Sequence, residues 1–540
     1  MVHFIRINHY EFCCMKPEGK NIIGNVISGE SRTNFYAINP ATTKKIEPPF
    51  FEATSNEIDK AVKKASEAFQ VYRNISGKMR AEFLVCIAEE ITALDRALIE
   101  HCMEETGLPE ARLLNERQRT VNQLNMFASY IKEGSWVDAR IDFGDPERKP
   151  MPKPDVRSMQ KALGPVGVFG SSNFPFAFSV AGGDTASALA AGCTVVVKAH
   201  PAHPGTSELV GHAILQAIKK CNMPDGTFSL LQGQSHEVGL GIVRHPLIKA
   251  IGFTGSFRGG KALFDEAGAR PEPIPVYAEM GSTNPVFIFP GILQEKRNDI
   301  ARDLAASVTL GVGQFCTNPG LVFMEKSEKT TEFTNTLSKH IADTPAGTML
   351  TEGIRTNYQH GTNLLQTITG VDVLASGKST DSGFTVSAHV FESDVKSFLT
   401  NPTLQEEIFG PSSLLISANN KNEILEAAKK LHGHLTATIH GTPEDLREYA
   451  ELIHILEQKV GRLVINGYPT GVEVCDAMVH GGPFPATTDS RTTSVGTLAI
   501  TRFTRPVCYQ NFPEALLPNE LKTDNPEQLW RLVNGKHVKQ

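Results

Sequence analysis

Residues 311–320 read Gly-Val-Gly-Gln-Phe-Cys-Thr-Asn-Pro-Gly. A thiolate is the strongest nucleophile an unmodified side chain offers near neutral pH. Cys316 follows the apolar helical pattern Ala301–Val312 and stands among small and turn-forming residues. That places it on a tight connection, where a thiol can face a cleft. A free cysteine in a large chain is most often a small buried hydrophobe, so a catalytic thiol needs partners elsewhere in the sequence.

Three other segments could supply them. Glu279 closes the apolar run of Val276–Glu279. A carboxylate on a buried strand end costs free energy unless it is paired or its pKa is raised, so it is either a general base or a structural group bonded to backbone amides. Asn173, in Gly170-Ser171-Ser172-Asn173-Phe174-Pro175, ends another strand pattern. Its amide can donate into a cleft at the carboxyl edge of a sheet, or merely serve a turn. Ile251–Ser256, followed by Gly259-Gly260, is a strand that ends in a glycine turn and opens a helix. Backbone N–H groups in such a turn can approach a dinucleotide, although the spacing is not G-x-G-x-x-G and such turns are common in α/β proteins.

The elements that must position these groups follow from periodicity. Thr54-Ser55-Asn56-Glu57 is a helix start, with a capping side chain and a glutamate in the first turn. Helical patterns follow over Ile58–Tyr72, Met79–Asp95, Arg96–Thr106 and 111–132. Trp136–Phe143 alternates as a strand, with 156–163 as its return across a proline-rich loop. Short apolar strands then alternate with helices from Val166 to Glu279, which implies a parallel sheet covered on both faces. A second set has strands near 285–289, 321–324, 412–416, 436–440 and 463–466. The fold class expected is α/β, with a Rossmann-like cofactor domain (19–134 and 159–281) and a second α/β domain carrying the thiol (282–480). A small β arm for oligomerisation (135–158 and 496–510) accompanies them, residues 498–507 pairing with the Trp136 arm. Residues 1–18 read as an irregular leader, and 511–540 as a tail of unassigned role.

Bulk composition narrows the function classes. The 540 residues are 40% hydrophobic and 21% charged, ordinary for a chain with a large core. A net charge of −6 gives no footprint for nucleic acid, and no stretch has the length of a membrane helix. Nine scattered cysteines form no disulfide framework and no C-x-x-C zinc motif, so reduced thiols, a cytoplasmic setting and no metal are expected.

Together these segments resemble the aldehyde dehydrogenase superfamily over about residues 20–505. Ala-Glu-Met-Gly stands at 278–281, Gly-Gln-Phe-Cys-Thr at 313–317, and Glu-Glu-Ile-Phe-Gly-Pro at 406–411. The resemblance implies NAD(P)-dependent oxidation of an aldehyde to a carboxylate through a cysteine thioester. Cys316 would be the nucleophile, Glu279 the base that activates water, and Asn173 the oxyanion donor. Lys198 would bind the adenosine ribose, Gly255, Ser256 and Gly260 the pyrophosphate turn, Glu407 the nicotinamide ribose, and Phe409 the ring.

Two departures matter. Members that prefer NAD carry an acidic residue three positions after the lysine; here it is Pro201, so Lys198 and His200 could take a 2′-phosphate and the cofactor leans to NADP, with NAD still accommodated. Ser172 stands where many members have tryptophan, enlarging the cleft beside Phe174, a substrate contact. Residues 197–210 and 471–495 look most like the bacterial 2,5-dioxovalerate (α-ketoglutarate semialdehyde) dehydrogenases. Such a substrate carries a carboxylate, and Arg117 is the expected cationic anchor, against the alternative of a solvated charge. A broad NADP-linked medium- or long-chain aldehyde dehydrogenase is the nearest rival. A CoA-acylating enzyme or a non-catalytic scaffold is further off, because Glu279, Cys316 and Asn173 are all present. A homodimer or homotetramer is expected from the arm.

Overall fold

The computed structural model describes residues 16–539. Most of the leader expected at 1–18 lies outside them. At Glu18 and Gly19 the backbone N–H groups already donate to the Glu208 carboxylate, at 3.0 and 2.9 Å.

Two seven-stranded sheets make the body. In the first, five strands run parallel in the order 276–279, 250–254, 166–169, 195–198, 228–231, extended by the antiparallel pair Asn21–Ile23 and Val26–Ser28. Numbered by sequence, the parallel strands order 5-4-1-2-3, the doubly wound pattern. The strand order reverses between Val166–Phe169 and Ala250–Thr254, where a crevice opens at the carboxyl edge. The strands are apolar throughout because helices cover both faces: Val195, Val196 and Val197 are fully buried.

The second sheet runs 372–376, 389–394, 412–418, 321–325, 286–288, 434–440, 460–465, all parallel except the first. Two of its strands, Asp372–Ser376 and His389–Asp394, were not anticipated. Their half-exposed faces carry His, Glu, Ser and Asp, which hide the apolar run that marks a buried strand.

The helical layer starts as read. Thr54 caps Ser55–Tyr72 in a reciprocal box with Glu57, whose buried carboxylate also accepts from Ser28 and Asn21. Helices Gly77–Ala93, Asp95–Thr106 and Glu110–Glu133 follow.

The small sheet differs from the reading. Ser135–Val137 is a 3-10 turn bounded by left-handed Gly134 and Asp138, and the strand is only Arg140–Asp142. Trp136 is buried, with Arg80 5.8 Å above its ring, so the alternation there reflects packing on a helix and not a pleat. Residues 497–503 are 3-10, and the following strand Thr504–Gln510 pairs with Val156–Ala162, so the expected pairing with the Trp136 arm is made through its return strand. The tail has a structural place after all. Arg531–Val533 pairs in parallel with Arg140–Asp142 and carries Lys536–Val538 on its outer side, giving a five-stranded sheet.

Candidate active site

Cys316 lies between the sheets, on the connection after helix Pro290–Thr309. Gly311, Val312 and Gly313 all have positive φ (54°, 59°, 63°), which turns the chain sharply before the thiol. Gly313 has no alternative: a Cβ there would fall 2.3 Å from the Gly410 backbone. Asn284, from the linker that joins the sheets, clamps the thiol loop. Its amide nitrogen donates to the carbonyls of Cys316 (2.8 Å) and Asn318 (2.9 Å), while its oxygen accepts from Ser282 and Thr436.

The strand Val276–Glu279 delivers Glu279 to the same point, and the segment 480–495 straps across it. Met280 N–H donates to Ala486 O (2.8 Å), and Ala278 N–H to Thr488 Oγ1 (2.9 Å). This strap carries His480, which sequence reasoning passed over. His480 Nε2 lies 3.5 Å from Cys316 Sγ and 2.9 Å from Glu279 Oε1. The second distance suits an ion pair once the ring gains a proton, though Oε1 stands outside hydrogen-bond alignment. Ser494 Oγ donates to the other carboxylate oxygen. Glu279 and His480 are 2% and 1% exposed, so the carboxylate's field on the ring is screened little by solvent. Reactive atoms of Cys316, His480 and Glu279 lie within 4.8 Å of one another.

The electrostatics set the resting protonation. Burial, then the negative charge of Glu279, pushes the Cys316 thiol well above its ordinary value. Burial also tends to raise the Glu279 carboxyl, but the attraction of His480 and the Ser494 hydroxyl outweigh it and leave it below the usual range.

Asn173 lies beside the thiol loop. Its Nδ2 donates one hydrogen to Gln314 O (3.0 Å), leaving the second for a ligand. Phe174 packs edge-on against Phe178 and Phe315, with centroids 5.4 and 5.5 Å apart. Arg117 does not join this group. Its Nη1 donates to the Asp95 carbonyl at 3.1 Å, on the outer side of helix Glu110–Glu133. At about 100° per residue, Arg112, Glu116 and Arg119 share the inner face, and Arg117 stands about 140° from Arg112.

The residues expected to hold the dinucleotide lie at strand ends, a helix start and irregular segments near the first sheet's switch-point crevice. Ser256 caps helix Phe257–Gly268, its Oγ accepting from Gly259 N–H at 3.2 Å, which leaves first-turn amides without helical partners. Gly255 N–H is held by Glu279 O (3.0 Å), and Gly260 N–H by Ser256 O (3.0 Å). Lys198 ends its strand with burial lowering its pKa to about 8 and the charge of Glu52 opposing that shift. His200 differs from the expectation of a phosphate-binding charge. Burial holds it well below its ordinary pKa, and Nδ1 accepts from Ala202 N–H, so it is a neutral ring stacked on His203. Glu407 occupies the space above Gly281, where a Cβ would meet its Oε2 at 2.0 Å, and accepts from Ser282 N–H at 3.3 Å. Burial raises it to about 7. Phe409 follows it in a short irregular segment. An ammonium with no ion pair among the described residues, free helix amides and a carboxyl beside a glycine suit the ribose, phosphate and ring portions of a nicotinamide dinucleotide.

Comparison with known proteins points the same way. Residues 26–491 match the profile of the Aldehyde dehydrogenase family. The chain is 48% identical to alpha-ketoglutaric semialdehyde dehydrogenase 2 of Azospirillum brasilense, covering 97% of this chain and 100% of that one. It is 48% identical to the alpha-ketoglutaric semialdehyde dehydrogenase of Acinetobacter baylyi, over 90% and 92% of the two chains. The betaine aldehyde dehydrogenase of Staphylococcus aureus, solved in complex with NAD+, superposes with a TM-score of 0.79 at 19% identity, over 92% of this chain and 96% of that one.

Proposed function

Because this chain belongs to the aldehyde dehydrogenase family, it oxidises an aldehyde with a nicotinamide dinucleotide, and we propose that the aldehyde is 2,5-dioxopentanoate (α-ketoglutarate semialdehyde) and the product 2-oxoglutarate. Full-length identity of 48% to a protein named for that activity supports the substrate. The convergence of Cys316, His480 and Glu279 supports the chemistry.

The resting thiol is neutral, so attack needs a base. His480 Nε2, 3.5 Å from Sγ, takes the thiol proton as sulfur adds to the aldehyde carbon, and the imidazolium is then stabilised by Glu279 Oε1 at 2.9 Å. The free hydrogen of Asn173 Nδ2 and the Cys316 backbone N–H receive the oxyanion. The bound dinucleotide supplies the hydride acceptor that turns this adduct into a thioester. Glu279 then takes a proton from water, which attacks the thioester carbon; the thiolate leaves and a carboxylate is released. Lys198 and the amides after Gly255 would hold the adenosine and phosphate portions, and Glu407 and Phe409 the nicotinamide side.

Pro201 in place of an acid, near a lysine that makes no ion pair among the described residues, supports a preference for NADP. The seven described cysteines are unpaired, which fits a reducing compartment and hence the cytoplasm. No helix among the described residues is long and apolar enough to cross a membrane. The edge strand Thr504–Gln510 leaves an open ladder through which a second copy can pair, supporting a homo-oligomer.

The test is a substrate panel with both cofactors. 2,5-Dioxopentanoate should exceed medium-chain aldehydes in kcat/KM by at least about tenfold, the scale of one charge-assisted contact. The reverse order would select the broad-specificity reading.

A further inference from the structure

Helix Glu110–Glu133 carries two arginines on its inner face that the mechanism above does not use. Arg119 has its Nε and Nη2 buried with no hydrogen-bond partner, and makes no ion pair among the described residues. Arg112 donates Nη2 to the Asn173 carbonyl (2.6 Å) and leaves a buried Nη1 unpartnered. Two buried arginines differ: Arg502 meets Asp184 at 2.5 Å, and Arg270 donates to three backbone carbonyls; Arg80, whose buried Nε is also unpartnered, stacks over Trp136. Glu116, on the same face, does not neutralise the pair. Its Oε1 accepts from Phe176 and Ala177 N–H, at 2.9 and 3.1 Å, and it comes within ion-pair distance of neither arginine. Buried N–H groups of a guanidinium are costly to leave without an acceptor, so two such groups on one face beside the thiol loop fit a ligand that is itself an anion.

The surroundings fix where that anion lies. Arg119 stands over the rings of Phe178 (5.4 Å) and Phe174 (5.9 Å), and Arg112 over Phe315 (4.8 Å) and Phe174 (5.1 Å). Phe178 in turn faces the His480 ring at 6.2 Å, and Phe315 is the residue before the nucleophile. Three aromatic rings therefore line the path from the guanidinium groups to the sulfur. An extended five-carbon chain separates its terminal carbons by about 5 Å, comparable to the width of one such ring. Burial lowers the Arg119 pKa, and the charges of Glu116 on its own helix face and of Glu279 across that path oppose this.

We infer that Arg119, flanked by the free Nη1 of Arg112, grips the carboxylate at the far end of the substrate and so selects a short ω-oxo acid over an uncharged aldehyde. The inference rests on the substrate reading above in requiring a carboxylate there. A planar guanidinium can bind it through two parallel N–H donors, which also fixes the chain's direction and delivers the aldehyde carbon to Cys316.

The experiment compares 2,5-dioxopentanoate with pentanal, equal in length but uncharged, in the wild type and in Arg119→Met and Arg119→Lys. The wild type's preference ratio in kcat/KM should fall at least about tenfold in Arg119→Met, mainly through KM, and be partly restored in Arg119→Lys. Glutarate, a five-carbon dicarboxylate, should inhibit wild-type pentanal oxidation competitively, and its inhibition constant should rise by a similar factor in Arg119→Met. An unchanged ratio and an unchanged glutarate constant overturn the anchor. A wild type with no preference for 2,5-dioxopentanoate overturns the substrate reading instead, and the glutarate constants then decide Arg119 alone.

Discussion

Replacing His480 by glutamine tests the centre most directly. Burial and Glu279 hold the Cys316 thiol well above 9.0. At pH 7.5 a free thiol of that kind is ionised to less than about 3%. Without a base in contact, the reactive fraction is therefore down at least about 30-fold, and a general base commonly contributes 10²–10⁴. Glutamine can still hydrogen-bond in the cavity but cannot take a proton at neutral pH. The expected result is a fall of about 10²–10³ in kcat/KM, with cofactor binding intact. Alkylation by iodoacetamide should slow in parallel at pH 7.5 and then climb about tenfold per pH unit beyond it, whereas the wild type rises less steeply. Alkylation and turnover at wild-type rates would refute the role of His480, because the 3.5 Å contact would then be incidental.

Three further outcomes are expected. Glu279→Gln should form the thioester but hydrolyse it slowly, giving a burst of reduced cofactor equal to one per active thiol, followed by turnover lowered about 10²-fold or more; stopped-flow absorbance would show a linear trace with no burst if water activation lies elsewhere. Lys198 carries its charge below about 8 and loses it above. NADP affinity of the free enzyme should thus weaken as pH rises through that value, with NAD affected less, and Lys198→Met should abolish the difference in fluorescence titrations. Arg502→Met should destabilise the fold by about 3–5 kcal/mol, since it strands Asp184 in the core. Burial raises the Asp184 carboxyl, which means the folded state favours its proton; the destabilisation should shrink as pH falls and grow as it rises, a trend readable in urea unfolding from pH 5 to 8.

Much of the fold was written in local pattern. The Thr54–Glu57 start and the parallel strands between Val166 and Glu279 follow from capping chemistry and apolar runs, both short-range signals. The cysteine, glutamate and asparagine stood out because their residue types sit at strand ends and turns. What failed was long-range. Arg117 and Arg119 are two residues apart in a charged stretch, and only the helix phase tells them apart; the spacing Arg112, Glu116, Arg119, Gln123 (steps of 4, 3 and 4) would have marked the inner face. His480 sits in Met-Val-His-Gly-Gly, where its type hints at chemistry, but its partners are 164 and 201 residues away by sequence number (480 − 316 and 480 − 279). Asn284 reads as part of a linker, and nothing local says that it holds the thiol loop. The half-polar strands 372–376 and 389–394 escaped for want of an apolar run.

The five-stranded sheet has a consequence for biosynthesis. Its strands come from residues 140–142, 156–162, 504–510, 531–533 and 536–538, so the early pair waits through more than three hundred residues of translation for its neighbours. Until then its ladder edges are open to any extended segment nearby, including the same pair on an adjacent nascent chain. A chain made only as far as residue 530 would hold every strand of both large sheets and lack two of the five strands of this small one.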